Sequence, residues 1–397
     1  MNKVFHKALV MPDFRFLLLG LFTLLLSCRD DNKAQMKYLT PVDKNINLNT
    51  TGDTLVFNLP ADSYNRIRSF NYFIDHENEY ISFYDKQSAS VNLYEFNSGA
   101  LIKRIPLKSY LPHRKFEKYT TVYYKNLDSL FVMNGITLYL LNNAMKVTDS
   151  FEFQRNPFVA FASFKNGNPP IFLGDKMYTI AKPYLSTQDK KEYIKWRAMY
   201  ELDLKNNTTE LKYRMPQVYQ DSLLGYNFFE TSYCFNNKGK IVFSFAADSN
   251  IYETDLEGYN TAYHGKSAFQ KSSLNAATMA ELNDEEDVNK YYLLRDSYGG
   301  IYFDPYSKRY LRIAEQKITE SEYILGKKEK NKTVLFFDED LRAIGETKLA
   351  GDIELSTILF TRNGHMYIRT GFKAENALYF VRLEYGEGLP ENKIASH

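Results

Sequence analysis

The sequence predicts an all-β fold, a six-bladed β-propeller with a partly helical insertion between the fourth and fifth blades. Three observations carry that expectation. Aromatic residues make up 16% of the chain, with 32 Tyr and 29 Phe against a single Trp, and such side chains favour strands. A short motif recurs six times at blade-like spacing. One strand-like run near the amino end has no blade of its own, and supplying it to the last blade would close a ring.

The amino terminus comes first. The apolar run Phe16 to Ser27 follows the basic residues Lys3, Lys7 and Arg15, the order of a secretory signal. Twelve helical residues reach only about 18 Å against a hydrocarbon core of about 30 Å, so a permanent membrane span is the weaker reading. The run ends in Leu25-Leu26-Ser27-Cys28, which resembles the bacterial lipobox: a small residue beside the cut, then the thiol that accepts the lipid. Cys28 is therefore the expected lipid-attachment residue, and the true start is Met1 or Met11. Arg29, Asp30 and Asp31 follow, similar to the acidic tract after the lipidated cysteine in surface lipoproteins of the Bacteroidota, or simply part of a polar tether. The expected organisation is a signal peptide over 1–27, a polar tether over 28–53, the propeller over 54–385 and a tail over 386–397.

The spare strand is Thr54 to Leu59. The motif is an apolar residue, usually a tyrosine next, then alternation into a polar turn. It reads Leu93 to Asn97, Leu138 to Asn142, Met199 to Asp203, Ile251 to Asp255, Val334 to Asp338 and Leu378 to Arg382, with second positions 45, 61, 52, 83 and 44 residues apart. Another strand-like run precedes each copy, from Tyr80 to Tyr84 in the first to His365 to Thr370 in the sixth. In five copies a turn and a further strand follow; the sixth runs into Gly386, Gly388 and Pro390, so Thr54 to Leu59 is expected to pair there. The long interval holds an insertion, Gly265 to Asp296, with helix-compatible stretches Leu274 to Leu282 and Asp287 to Leu294, expected to cover one rim. The competing all-β reading is a pair of sandwiches.

The lipobox, the aromatic blades and the segment Thr333 to Leu349, with its ending Gly345-Glu346-Thr347-Lys348-Leu349, together resemble the TolB-like six-bladed propeller lipoproteins of the Bacteroidota known as a domain of unknown function. Gly300 to Asp304 followed by Lys308 to Leu311 is similar to an upstream segment of that family. The resemblance implies a fold and offers no catalytic residues to carry over.

Composition excludes some functions. The 50 Lys+Arg less Lys3, Lys7 and Arg15 leave 47 in the mature chain, and the 48 Asp+Glu less Asp13 leave 47, so bulk charge recruits no nucleic acid. With lipid on Cys28, Cys234 is the one remaining thiol, expected as a small buried apolar residue without a disulfide. The histidines His76, His113, His264, His365 and His397 form no local metal motif, and no nucleophile elbow, phosphate loop or calcium loop is present. Catalytic, cofactor-binding and metal residues are thus expected to be none. Asp284-Glu285-Glu286-Asp287 reads as the acidic start of a helix, Asp338-Glu339-Asp340 as a hairpin turn, and Lys327, Lys328, Lys330 and Lys332 as a solvated basic loop.

Two functions stay open. One is a monomeric binding or scaffold module held by its lipid at the outer membrane, on the periplasmic or cell-surface face, for a protein, peptide or glycan partner. The alternative is an envelope hydrolase or lyase acting on glycan or peptide at the propeller funnel. Acids and histidines converging in one concave pocket favour the enzyme; a mouth of apolar and neutral polar groups favours binding.

Overall fold

The computed structural model describes residues 34–387 apart from 43, 45, 66, 112–119, 154–159, 184–194, 271–273, 350–352 and 371–374. Cys28, the signal run, His113 and His397 lie outside the described residues. Six small antiparallel sheets follow one another as blades. From inner to outer strand, blade one is Ile67–Asp75, Asn78–Asp85, Ser90–Glu95 and Leu101–Pro106. Blade two is Thr121–Asn126, Ser129–Asn134, Thr137–Leu141 and Val147–Glu152. Blade three is Ala160–Ser163, Lys176–Pro183, Arg197–Asp203 and Thr208–Arg214, with Ile171–Leu173 added. Blade four is Thr231–Phe235, Ile241–Phe245, Asn250–Thr254 and Asn260–His264. Blade five is Ser297–Asp304, Arg309–Gln316, Asn331–Phe337 and Ala343–Lys348. Blade six is Ile353–Phe360, Met366–Thr370, Ala377–Glu387 and, from the amino end, Ile46–Asn58.

Each blade is sandwiched between two others, so successive residues of its middle strands enter opposite apolar layers. Val242 shares a buried layer with Ile301 and Leu335 of blade five, while its neighbour Phe243 stacks on Tyr213 of blade three. Leu335 and Phe336, or Tyr367 and Ile368, divide in the same way. These strands are apolar on both faces for that reason.

The polar residue that closes the sequence motif has a structural purpose. Asp203 ends a third strand and Asn142, Asp255 and Asp338 directly follow one, and all four accept backbone N–H groups of the following turn, as Asp255 does from Glu257, Gly258 and Tyr259. In blade one Glu95 accepts from Asn97 and Ser98 instead. Arg382 holds that position in blade six, where the strand runs on to Glu387 to meet the amino-terminal strand.

The expected closure is present: Thr54 pairs with Val381 and Phe57 with Leu378. The closing segment is longer than the sequence indicated, because the expected tether is itself paired. Gln35–Lys37 runs parallel to Thr261, Ala262 and Tyr263 on the outer edge of blade four. Val42 and Lys44 donate backbone N–H to Ala343 and Ile344 on the edge of blade five, and Ile46 to Thr50 pairs with blade six. The chain from 35 to 58 is thus a strap across three successive blade edges. Its polar sequence concealed it, since edge pairing needs backbone groups and leaves side chains such as Lys37 in water. The expected tail also begins late, because Gly386 and Glu387 pair with Asn47 and Ile46.

The insertion between blades four and five holds a helix, Glu285–Leu293, capped by Asp284 accepting from the Asp287 N–H. The expected helix over Leu274 to Leu282 is reduced to a single 3-10 turn, Ala280–Leu282. Ala277, Leu282 and Tyr291 are buried in the layer that includes blades three and four, so the insertion shares the core.

Phe57, fully buried between blades six and one, tests the closure. Phe57→Ala is expected to cost about 3–5 kcal/mol in urea unfolding, the usual price of an emptied core ring. A loss below about 1 kcal/mol would mean that the strap does not hold the ring.

Candidate functional site: the central channel

The inner strands ring a channel, and their edge backbone groups have no neighbouring strand to pair with. Polar side chains from the preceding blade take that place. Ser69 and Asn71 of blade one accept the N–H groups of Val122 and Tyr124 in blade two, at 3.1 and 2.9 Å. Thr121 accepts from Phe164 at 3.1 Å, and Ser232 accepts from Ile301 at 3.0 Å.

Blade three departs from the pattern. After Ser163 its chain leaves the sheet and crosses the channel as Phe164 to Asn168. Asn166 accepts the Phe70 N–H at 2.6 Å and donates to Thr357 at 3.1 Å, joining blade three to blades one and six. Asn168 donates to Ser232 and to the Tyr233 carbonyl, both at 3.2 Å. The Tyr302 ring closes on this plug so tightly that a Cβ at Gly167 or Gly300 would lie 2.9 or 2.8 Å from its atoms. On one side of the plug is an aromatic throat that includes Tyr72, Phe164, Phe235 and Cys234. On the other is a mouth of about 540 Å3, beneath the helices and long connections.

Charged groups collect at the mouth. Glu230, between the 3-10 turn Tyr226–Phe229 and the inner strand of blade four, is held by both Lys165 and Lys182. Burial alone would raise its pKa, but the two ammonium groups outweigh it and hold the carboxyl at about 2. The Lys182 ammonium also lies 4.0 Å from the centre of the Tyr226 ring. Across the mouth Glu315 accepts from the Tyr292 hydroxyl at 2.6 Å and from Ser297 at 2.9 Å. Lys330 donates to Ser297 at 2.7 Å and sits 3.5 Å over the Tyr292 ring. Burial pulls its pKa down to about 7, against the opposing pull of Glu315 and Asp296.

A second buried cation braces the wall. Arg312 is fully buried, donates to Ser244 at 2.9 Å and to the carbonyls of Asp248, Ser249 and Gly265, and stacks 3.8 Å from the Tyr298 ring. Burial lowers its pKa to about 10, still leaving it charged at neutral pH.

The basic loop of the sequence is thereby corrected. Lys330 is 8% exposed and not solvated, because the hairpin carrying it folds back over Tyr292. Lys332 lines the mouth, whereas Lys327 pairs with Glu322 at 2.8 Å and Lys328 lies 4.2 Å over Tyr323. The acidic runs take the places read for them, at a helix start and a hairpin turn. Cys234 is half-buried beside the throat, and burial pushes its thiol pKa up. His76 and His264 are exposed and His365 is intermediate; no group of three metal-ligating side chains occurs among the described residues. Reasoning from sequence missed Lys165, Lys182, Glu230 and Arg312. The signal available was a charged residue set within otherwise aromatic strand segments.

Fold and site together define a six-bladed β-propeller with a plugged channel that opens at its helical face. The pattern of one family, described as Domain of unknown function (DUF4221), matches residues 45–348, and the chain belongs to that family. The crystal structure of a member of this family from Bacteroides vulgatus has a TM-score of 0.72 at 20% identity, covering 87% of this chain and 100% of that one. A structural genomics protein of unknown function from Bacteroides thetaiotaomicron aligns at a TM-score of 0.46 and 12% identity, over 85% of this chain and 76% of that one. A gluconolactonase from Xanthomonas campestris aligns at 0.43 and 10%, over 90% of this chain and 99% of that one. Among curated proteins, no sequence matches the chain.

Lys330 makes stability pH-dependent with a definite sign. Below about pH 7 the ammonium is charged in both folded and unfolded chains, and its burial penalty is constant. Between about 7 and the ordinary value of 10.5 the unfolded chain holds the extra proton, so folding gains as pH rises. Urea midpoints at about pH 5, 6, 8 and 9.5 should show the wild type gaining on Lys330→Met across both steps above pH 6 and not between pH 5 and 6. Parallel curves would remove Lys330 as the source.

Proposed function

We propose that this chain is a lipid-anchored envelope protein whose propeller is a binding module, receiving a protein, peptide or glycan partner at the mouth. The observation that carries this reading is the mouth itself: a preformed cavity of about 540 Å3, braced by the plug and Arg312, of a size suited to a ligand group. Its two carboxylates are already engaged, Glu230 by two lysines and Glu315 by two hydroxyls. No histidine lines it among the described residues. A hydrolase or lyase needs an acid or base available to move a proton, and both acids here are held as partners of the protein's own groups.

The anchor rests on the signal-like run and on Leu25-Leu26-Ser27-Cys28. The strap's direction supports an orientation as well. Gln35–Lys37 runs parallel to Asn260–His264, which leads from a tight turn on the far face toward the mouth face. Traced backward, the chain heads away from the mouth, and seven steps from Gln35 to Cys28 reach at most about 25 Å. The lipid would then hold blade four's edge near the bilayer with the mouth opening away from it.

Tagged protein retained on envelope membranes should capture its partner with the wild-type mouth and lose it when Lys332→Glu reverses one lining charge. Capture undiminished by that change, and by Lys182→Glu, would move the binding surface elsewhere. Separately, Cys28→Ala should abolish incorporation of labelled fatty acid and release the protein from membranes. Label remaining on that variant would overturn the anchor.

A further inference from the structure

We infer that the mouth is an oxyanion site, taking a small ligand or chain end whose carboxylate or phosphate sits among Lys332 and the Lys165–Lys182 pair. This rests on the mouth being the binding surface and adds the chemical class of what enters it.

The charges that line the cavity do not balance. Among the described residues Lys165, Lys182 and Lys332 line it against Glu230 and Glu315, an excess of one positive charge in a concave space even with Arg68, which also lines it, left out of the count. Concave walls of low polarity focus such a field and draw in counter-charge. Neither carboxylate is available to restore the balance. Glu230 is shared between Lys165 and Lys182, and Glu315 is directed toward Tyr292 and Ser297 although Lys332 lies opposite it in the strand register. Among the described residues Lys332 makes no side-chain hydrogen bond or ion pair, and it is only partly exposed. Lys330, directly behind Tyr292, adds a further cation below neutrality.

Glu230 shows that these lysines hold a carboxylate in this setting, and Lys332 is the cation left over. The partly exposed rings of Tyr226 and Tyr292 stand beside the cations and offer flat apolar surface to whatever carries the acid group. The plug seals the floor, so the ligand enters and leaves by the helical face.

Calorimetric titration of the folded chain with D-glucuronate, D-glucose and inorganic phosphate tests this. At least one of the two anions should bind while glucose, the uncharged sugar, should not. Glucuronate alone would assign a carboxylate on a carbon skeleton, and phosphate alone would assign a phosphate. Affinity should fall with added salt, and by about tenfold or more in Lys332→Gln, the loss of one charge-assisted hydrogen bond. Lys182→Gln should weaken binding too, but it also unbalances Glu230; Lys332→Gln, which disturbs no internal partner, is the deciding variant. Lys205→Gln, on an exposed turn of the opposite face, should bind as the wild type does. Absence of binding by both anions, equal binding of glucose, or unchanged affinity in Lys332→Gln overturns the inference. If anions fail while partner capture still depends on the mouth, the ligand class is wrong and the binding module stands; if capture ignores the mouth, the module reading itself fails.

Discussion

Everything in this molecule depends on the pairing of Ile46–Asn58 with Ala377–Glu387. A propeller is a ring of sheets whose first and last members must be joined, and here the joint is a backbone ladder between residues more than 300 positions apart in sequence. Without it blade six would present an open edge, and the apolar layer between blades six and one, with Phe57, Ile81, Tyr94 and Phe380, would face water. The strap extends the same device to blades four and five, covering parts of three edges with one polar segment.

Closing the ring creates a second constraint at its centre. Inner strands have an edge that no sheet covers, and an unpaired buried N–H is costly. Ser69, Asn71, Thr121 and Ser232 answer it one blade at a time. The Phe164 to Asn168 crossing answers it across the whole channel, and in doing so turns an open bore into a cavity with a floor. The floor also carries Lys165, so the crossing that seals the channel helps to charge its mouth.

The rim insertions belong to the same construction. The helix Glu285–Leu293 buries Tyr291 against Phe228 and places Tyr292 over Lys330, while the connection before it supplies the Gly265 carbonyl to Arg312. Long connections at this face therefore form the mouth while packing into the layer beneath. Binding and stability are coupled there through shared residues.

Much of the fold was legible because its cause is local. Middle strands apolar on both faces, with a turn-capping Asn or Asp at or just after the end of the third strand in four of the six blades, leave a periodic mark, and the six motif copies and the closing strand were found from it. The Asp284 helix start and the Asp338 turn were legible for the same reason. The strap before Thr54 was not, since edge pairing uses backbone and imposes no side-chain pattern. Nor was the site: Lys165, Lys182 and Glu230 come from two blades, and Lys330 and Lys332 from a third, with no spacing rule to link them. Lys330 looked like one lysine in a solvated run, and only the packing of its hairpin over Tyr292 made it a buried group. The sequence by itself determined the repeat, the ring it builds and the strand that closes it, because each arises from contacts within or beside a strand. Tertiary structure alone decided the strap, the plug and the charge of the mouth, because these depend on which distant groups the closed ring brings within hydrogen-bond reach.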